Sequence, residues 1–130
     1  MATTNTYTNA KAVLRGNTTV YTAPSAGTSI IKSIRVSNTE ENTDRDITLT
    51  VTDSDSVVYY LEVNRTIQKK SSQEILAAGN MKTDSADSSV SSSTPIILKS
   101  SEILKATTTG SDIHIIVSVL EMTYWQAYQT

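Results

Sequence analysis

The chain has 130 residues, no cysteine, and a formal net charge of -2 with a pI near 5.3. This length predicts one domain with a sizeable core, and the lack of cysteine excludes disulfides and thiolate metal sites. The near-neutral charge, with Lys and Arg scattered, gives no basis for binding nucleic acid or an anionic membrane. The sequence contains no run of about 18 apolar residues, so no membrane span is predicted. The first eleven residues lack the basic start and apolar segment of a signal peptide, so we expect a soluble protein made in the cytoplasm.

The composition favours β-strands. Thr and Ser account for 21 and 18 residues, and Phe is absent. Thr suits the solvent face of strands, whereas Ser, Asn and Asp suit the turns between them. No window longer than about eight residues has the period of an amphipathic helix, so we predict an all-β fold.

Residues 1–9 are polar and lack a core pattern, which predicts an arm that is either free or ordered on a neighbouring subunit. Two short strands, Lys11–Arg15 and Thr18–Thr22, are predicted on either side of a turn at Gly16-Asn17. We therefore divide the chain into an N-terminal arm (1–16), a β-sandwich domain (17–122) and an aromatic C-terminal tail (123–130).

A clear strand is predicted at Ser29–Ser37, followed by a polar loop at 38–44. We expect its inward side chains to be Ile30, Ile34 and Val36, with Ser33 and Arg35 outward. The next strand has the cleanest alternation in the chain and predicts one buried and one Thr-covered face. Its inward residues are Ile47, Leu49 and Val51, and its outward residues are Thr48, Thr50 and Thr52. We predict that these two strands form a hairpin.

The middle of the chain predicts shorter elements. A turn at 53–56 leads into a strand at 57–63, and 65–70 and 73–76 suggest one or two more. Residues 77–94 are a low-complexity, Ser-rich segment of a length unusual for a loop in a compact domain. This segment is interpreted either as a mobile loop or as a contact loop for a partner. Further predicted elements are a strand at 95–99, a turn at 100–102, a strand at 103–107 and a turn at 108–111.

The strand Asp112–Met122 is predicted to lie at the centre of the sheet. One face is an unbroken aliphatic row, made by Ile113, Ile115, Val117 and Val119. The other face is half apolar, with His114, Ile116, Ser118 and Leu120. We therefore expect both faces to be covered, the second by another segment of the chain or by another subunit.

About eight short strands at hairpin spacing predict a single-domain antiparallel β-sandwich, jelly-roll-like, with an extended N-terminal arm and a short C-terminal tail. No catalytic apparatus is evident. His114 is the single histidine and has no acidic neighbour at ligand spacing, so we predict a structural or incidental role. The pairs Asp53/Asp55 and Asp44/Asp46 lack the Gly and distal Glu of a calcium loop, and we expect turns and strand ends there. We predict no enzyme, cofactor or metal site.

The tail carries Tyr124, Trp125 and Tyr128. These rings either cap the core of the sandwich or dock on a partner, where Tyr and Trp supply much of the binding energy. Carbohydrate-binding modules also use exposed Trp and Tyr, so glycan binding is a third interpretation.

Three segments, in the same order and spacing, resemble small β-sandwich virion proteins of tailed bacteriophages. They are TTVYTAPSAGTSIIKSIRVSNT (18–39), DITLTVTDSDSVVYYLEV (46–63) and PIILKSSEILKATTTGSDIHIIVSVLEM (95–122), about 70 of the 130 residues. The sequence departs from the family pattern at Ser100-Ser101-Glu102, where Gly-Asp is common, and in the Ser-rich segment before Pro95.

The resemblance implies a non-enzymatic virion structural protein, with a capsid decoration or cement protein as the leading interpretation. Neck, tail or tail-fibre accessory proteins are the alternative within the family, and a carbohydrate-binding module for host attachment is the alternative from another class. The expected partners are phage virion proteins, the major capsid protein or neck and tail proteins, and copies of the chain itself, with a trimer favoured. No nucleic-acid or membrane partner is expected. The predicted interface residues are Tyr7, Leu14, Ile116, Leu120, Tyr124, Trp125 and Tyr128.

Overall fold

The computed structural model describes residues 2–76 and 95–125, and these residues form seven β-strands. The strands are β1 (Ala2–Thr22), β2 (Gly27–Asn38), β3 (Arg45–Thr52), β4 (Val58–Ile67), β5 (Ser71–Glu74), β6 (Ile96–Leu98) and β7 (Ile103–Trp125). All the strand pairs are antiparallel. The curled sheet gives the predicted all-β, jelly-roll-like sandwich in a single domain.

The last strand, β7, is the centre of the sheet. It pairs with β1 along nearly its whole length, while its other side pairs first with β3 and then with β2. The strand order is β4-β3-β7-β2-β5, with β1 on β7 and β6 on β2. The prediction that Asp112–Met122 lies mid-sheet is therefore confirmed.

The sheet folds over at one corner of β7, and this makes the sandwich. Leu14 pairs with Ile113 while Gly16 pairs with Thr108, so residues 109–112 have no matched partner on β1. The buried positions of β7 are even-numbered before this corner and odd-numbered after it. One layer consists of β4, β3 and the adjoining halves of β7 and β1. The other layer consists of the remaining halves of β1 and β7 with β2, β5 and β6.

Two predicted turns are wrong because of this corner. Neither Gly16-Asn17 nor Thr108–Ser111 breaks its strand, and each lies inside one long strand. Gly16 has a φ of +63°, a conformation that glycine adopts without a Cβ clash, and here it forms a β-bulge rather than a hairpin turn.

The N-terminal residues also differ from the prediction. Residues 2–9, expected to be an arm, pair with β7 from Ala2 opposite Trp125 onward. The strand β1 runs without interruption through the boundary predicted at residue 16. Long runs of Thr and Asn have no core pattern, but they satisfy their backbone groups well beside a central strand.

A bulge between Ile31 and Ser33 changes which residues of β2 face the core. Before it, Ser29 and Ile31 are buried; after it, Ile34 and Val36 are buried. The inward prediction is confirmed for Ile34 and Val36 and is wrong for Ile30. An inserted residue reverses the alternation of a strand, which places Ile30 on the outer face.

The strands β2 and β3 do not form the predicted hairpin. Both pair with β7 instead, β3 with its first part and β2 with its second, so the loop between them crosses from one layer to the other. The alternation predicted for β3 is confirmed, because Ile47, Leu49 and Val51 are buried.

The shorter predicted elements are found with shifted ends. The strand predicted at 57–63 extends to Ile67, a short β5 follows, and β6 falls inside the predicted strand at 95–99. A turn lies at 100–101. No helix long and apolar enough to cross a membrane occurs in the described residues.

The core lies between the two layers and is almost entirely aliphatic. Each Val, Leu or Ile side chain contributes about 1.5 to 3 kcal/mol when it is buried away from water. The buried aliphatic side chains of the core therefore set the stability of the fold. The fully buried larger side chains are Leu14, Ile31, Ile34, Val36, Ile47, Leu49, Ile67, Leu98, Leu104, Ile113, Ile115 and Val117.

Candidate interaction surface

A row of apolar side chains crosses the outer face of the layer that contains β2. The strand register places Tyr7 of β1 opposite Leu120 of β7, Leu120 opposite Ile30 of β2, and Ile30 opposite Ile97 of β6. Tyr7 and Ile97 are 74% and 62% exposed, and Leu120 and Ile30 are partly exposed. We call these four residues the outer row.

The outer row exists because adjacent residues of a strand point to opposite faces. On β7, Val119 and Ile115 are buried while Leu120 and Ile116 lie on the outer side. On β6, the flanking Ile96 and Leu98 turn inward, which leaves Ile97 outward. None of the described residues covers this face, so the sequence-based expectation of a covering segment is not met within the described part of the chain.

A second apolar position, Ile116, lies beside the outer row with cations on either side. The register places Lys11 of β1 and Arg35 of β2 opposite Ile116. The ammonium group of Lys32 lies 5.7 Å from the centre of the Tyr7 ring, a cation–π distance. The face therefore combines an apolar centre with basic side chains, as interfaces rich in Tyr and Arg do.

His114 is on the same face and is exposed, opposite Val13 on β1 and Ser37 on β2. Lys11, Val13 and Ile116 line a shallow depression with it. No group of three or more His, Cys, Asp or Glu side chains able to hold a metal ion occurs among the described residues.

The acidic pairs form turns and strand ends, as predicted. A carboxylate oxygen of Asp53 accepts hydrogen bonds from the backbone N–H groups of Asp55 and Val57, at 2.9 and 3.0 Å. Asp44 accepts from the N–H of Lys69, and Asp46 from the hydroxyl of Thr66. These carboxylates are used by the backbone and by neighbouring strands.

A polar cluster inside the sandwich joins β1, β2 and β7. The buried Tyr21 hydroxyl donates to the Glu121 carboxylate at 2.5 Å and lies 2.8 Å from the Ser29 hydroxyl. Burial, with the hydrogen bond to Glu121 as a second cause, raises the pKa of Tyr21 to about 12. The tyrosine therefore stays protonated and acts as a hydrogen-bond donor, which makes this cluster part of the fold.

The predicted interface residues divide into three groups. Tyr7, Ile116 and Leu120 lie on the outer face, whereas Leu14 is buried in the core. The backbones of Tyr124 and Trp125 continue β7 opposite Thr3 and Ala2. Tyr128 and the Ser-rich segment 77–94 lie outside the described residues.

Sequence reasoning missed two members of the outer row. The regular alternation predicts Ile30 inward; Lys32, which the same alternation places inward, weakens the pattern at that end, and the bulge lies at this residue. Ile97 could have been found, since the middle residue of three consecutive apolar residues in a strand points away from its two neighbours.

The fold and this face define a β-sandwich protein with an apolar and basic outer surface. No protein-family model and no curated protein matches the chain. Among solved structures, it is similar to a chain of the T13 viral particle of infectious bursal disease virus, with a TM-score of 0.48 and 9% identity over 95% of this chain and 32% of that chain.

Two other structures of infectious bursal disease virus are also similar. For the Gx strain the TM-score is 0.44, with 9% identity over 97% of this chain and 32% of that chain. For the Gt strain the TM-score is 0.40, with 10% identity over 96% of this chain and 33% of that chain. The chain thus spans about a third of the length of the viral chains that it matches.

Proposed function

We propose that the protein is a non-enzymatic virion structural protein, and specifically a capsid decoration or cement protein of a tailed phage. The outer row is the observation that carries this proposal. Four apolar side chains aligned across four strands, with basic side chains beside them, form a surface suited to another protein rather than to water. The resemblance of three segments to phage virion proteins supplies the class of partner.

The proposed mechanism is stabilisation by mass action. A protein that binds only the assembled shell raises the stability of the shell by RT ln(1 + [L]/Kd), where [L] is the concentration of the free protein. This is about 2.7 kcal/mol when [L] is 100 times the Kd. Many copies acting on one shell multiply this effect. The exposed faces of neighbouring shell proteins are the proposed partners, together with further copies of this chain.

The outer row should make the contact with the shell. Ile97→Ser should weaken binding to expanded capsids of the phage that encodes the chain, because it removes a buried apolar contact at the interface. Val63→Ser is the matched control, since Val63 is a similarly exposed strand residue (60%, against 62% for Ile97) in the other layer. Equal binding by the two variants would contradict the assignment of this face.

Copy number decides between the two virion roles. A decoration protein is present at a fixed number of copies per capsomer and raises the melting temperature of the capsid. A neck, tail or fibre protein is present in a few copies per particle and leaves that temperature unchanged. Quantitative mass spectrometry of purified virions distinguishes them.

A carbohydrate-binding module remains the alternative from another class. It would use Tyr124, Trp125 and Tyr128, and the single tryptophan gives a direct signal. Titration with host-surface glycans, followed by Trp125 fluorescence, would support this alternative if the signal saturates. An unchanged signal at all glycan concentrations would exclude binding at the tail.

A further inference from the structure

The strand β4 lies at the edge of the layer opposite the outer row. Among the described residues it pairs along its length with β3 alone. Its first part is apolar and exposed, with Tyr59 and Tyr60 at 57% and 65% and Val57 and Val58 nearly half exposed. Exposed edge strands are usually protected by Lys, Pro or a very short length. Residues 57–61 contain neither Lys nor Pro.

The hydrogen-bonding pattern between β3 and β4 determines which backbone groups of β4 point away from β3. In the turn between β3 and β4, the N–H of Asp53 donates to the carbonyl of Val57 at 3.0 Å. Hydrogen-bonded and non-hydrogen-bonded pairs alternate along an antiparallel ladder. Thr52–Val58 and Thr50–Tyr60 are therefore non-hydrogen-bonded pairs in the β3–β4 register. It follows that Val58 and Tyr60 direct their N–H and C=O groups away from β3.

We propose that this edge binds the same edge of a second copy of the chain, antiparallel about a two-fold axis at Tyr59. In this register the outward groups of Val58 meet those of Tyr60 of the second copy, and Tyr59 lies opposite itself. The Val58–Tyr60 contact, made twice, is a pair of a β-branched and an aromatic residue, which stabilises antiparallel strands. The paired residues 57–61 carry no charge, so no like charges face each other.

The proposed contact joins two four-stranded layers into one continuous sheet. It satisfies the backbone groups that the edge leaves to solvent and buries tyrosine and valine side chains of both copies. It is separate from the outer row, which lies on the other layer. A shell protein could therefore be held by one surface and its own copies by the other.

Cysteine substitution tests the register. The natural chain has no cysteine, so Tyr59→Cys and Tyr60→Cys each introduce a single thiol at similar exposure. In the proposed dimer the two residues 59 form a non-hydrogen-bonded pair with Cα atoms about 4.5 Å apart, within the range that a disulfide needs. The two residues 60 are offset by two positions along the strands, which places their Cα atoms about 8 Å apart, too far for a disulfide.

We expect Tyr59→Cys to form a disulfide-linked dimer under mild oxidation at a several-fold higher yield than Tyr60→Cys, as measured by non-reducing electrophoresis. Equal yields, or a higher yield for Tyr60→Cys, would overturn the proposed register.

A proline variant tests the edge without cysteine. Val58→Pro removes an N–H that points away from β3, so the β3–β4 pairing is retained while the outer ladder loses a donor. We expect analytical ultracentrifugation to show dimer for the wild-type chain and a several-fold weaker dimer for Val58→Pro, with unchanged far-UV circular dichroism. Ile97→Ser should leave this dimer intact. A wild-type chain that stays monomeric at millimolar concentration would refute the proposal, whether or not the proline variant folds.

Discussion

Glu40 and Arg45 form a bidentate ion pair beside Gly110, at the corner where β7 passes from one layer to the other. The two hydrogen bonds measure 2.7 and 2.9 Å, and the neighbouring Thr39 binds the carbonyl of Asp112 through its N–H and its hydroxyl. A Cβ atom on Gly110 would lie 2.7 Å from a Glu40 carboxylate oxygen and 3.0 Å from Cγ of Arg45. The loop between β2 and β3 thus holds the corner, and glycine leaves the space for it.

Gly110→Ala should lower the free energy of unfolding by about 1 to 2 kcal/mol, because the ion pair has to move. Gly27→Ala should cost about 3 kcal/mol, since its Cβ would lie 2.3 Å from the backbone carbonyl oxygen of Met122, which cannot yield as a side chain can. Urea denaturation measures both values. Thr109→Ala, at an exposed neighbouring position, is the control and should change stability little. A larger loss of unfolding free energy for Gly110→Ala than for Gly27→Ala would contradict the packing described.

The corner ion pair should make stability depend on pH in the acid range. The hydrogen bond from Arg45 holds the pKa of Glu40 below its ordinary value of 4.5. A carboxylate with a lowered pKa in the folded state contributes stability that is fully present above the unfolded pKa and is lost as the pH falls through the folded pKa. Chemical denaturation of the wild-type chain and Glu40→Gln between pH 7 and pH 3 should show the two curves converging below pH 4.5. Glu41→Gln is the exposed control, and its stability curve should follow that of the wild-type chain. A Glu40→Gln curve that stays parallel to the wild-type curve over the whole pH range would refute the role of this ion pair.

Tyr21→Phe should destabilise the fold by about 1 to 2 kcal/mol at neutral pH, because Glu121 and Ser29 lose their shared hydroxyl partner inside the sandwich. The raised pKa also predicts an alkaline effect. Because folding raises the pKa of Tyr21 from 10.0 to about 12, wild-type stability should fall as the pH rises through this interval, and the phenylalanine variant should lack that contribution. Tyr7→Phe, at a ring that is 74% exposed in the isolated chain, is the matched control. A Tyr21→Phe chain with unchanged stability at neutral pH would contradict the buried hydrogen bond.

Two adjacent isoleucines of β7 test which face is the core. Ile115 is 1% exposed, whereas Ile116 is 42% exposed on the outer face. Ile115→Ala should cost about 3 to 4 kcal/mol through lost burial and a cavity, and Ile116→Ala less than about 1 kcal/mol. Thermal and urea unfolding of the isolated protein measure the difference. Equal losses would mean that the outer face is covered in the isolated chain.

The sequence alternation predicted the core rows where a strand is regular. Ile113 to Val119 on β7 and Ile47 to Val51 on β3 were assigned to the core correctly, because period-two patterns report directly which face is buried. The prediction failed at the bulges. One extra residue at Lys32 or Val20 reverses the alternation, and neither residue type signals a bulge.

Pairing between strands that are distant in the chain also could not be predicted from the sequence. The strands β2 and β3 are neighbours in the chain and looked like a hairpin, yet both pair with β7, because the central strand is long enough to serve two layers in succession. The candidate surface was predictable only in part. Ile116 and Leu120 follow from the alternation of β7, and Tyr7 follows from the N-terminal arm predicted to contact a neighbour. The alignment with Ile30 and Ile97 requires the register across four strands.

The position of β7 at the end of the described chain has a consequence for biosynthesis. When a ribosome has made residues up to about 100, β1, β2 and β3 still lack the strand that pairs with each of them. Contacts of such long sequence separation fold slowly and leave partly made chains prone to association. We therefore expect the nascent chain to need protection, by a chaperone or by rapid synthesis, until β7 emerges and pairs with β1, β2 and β3.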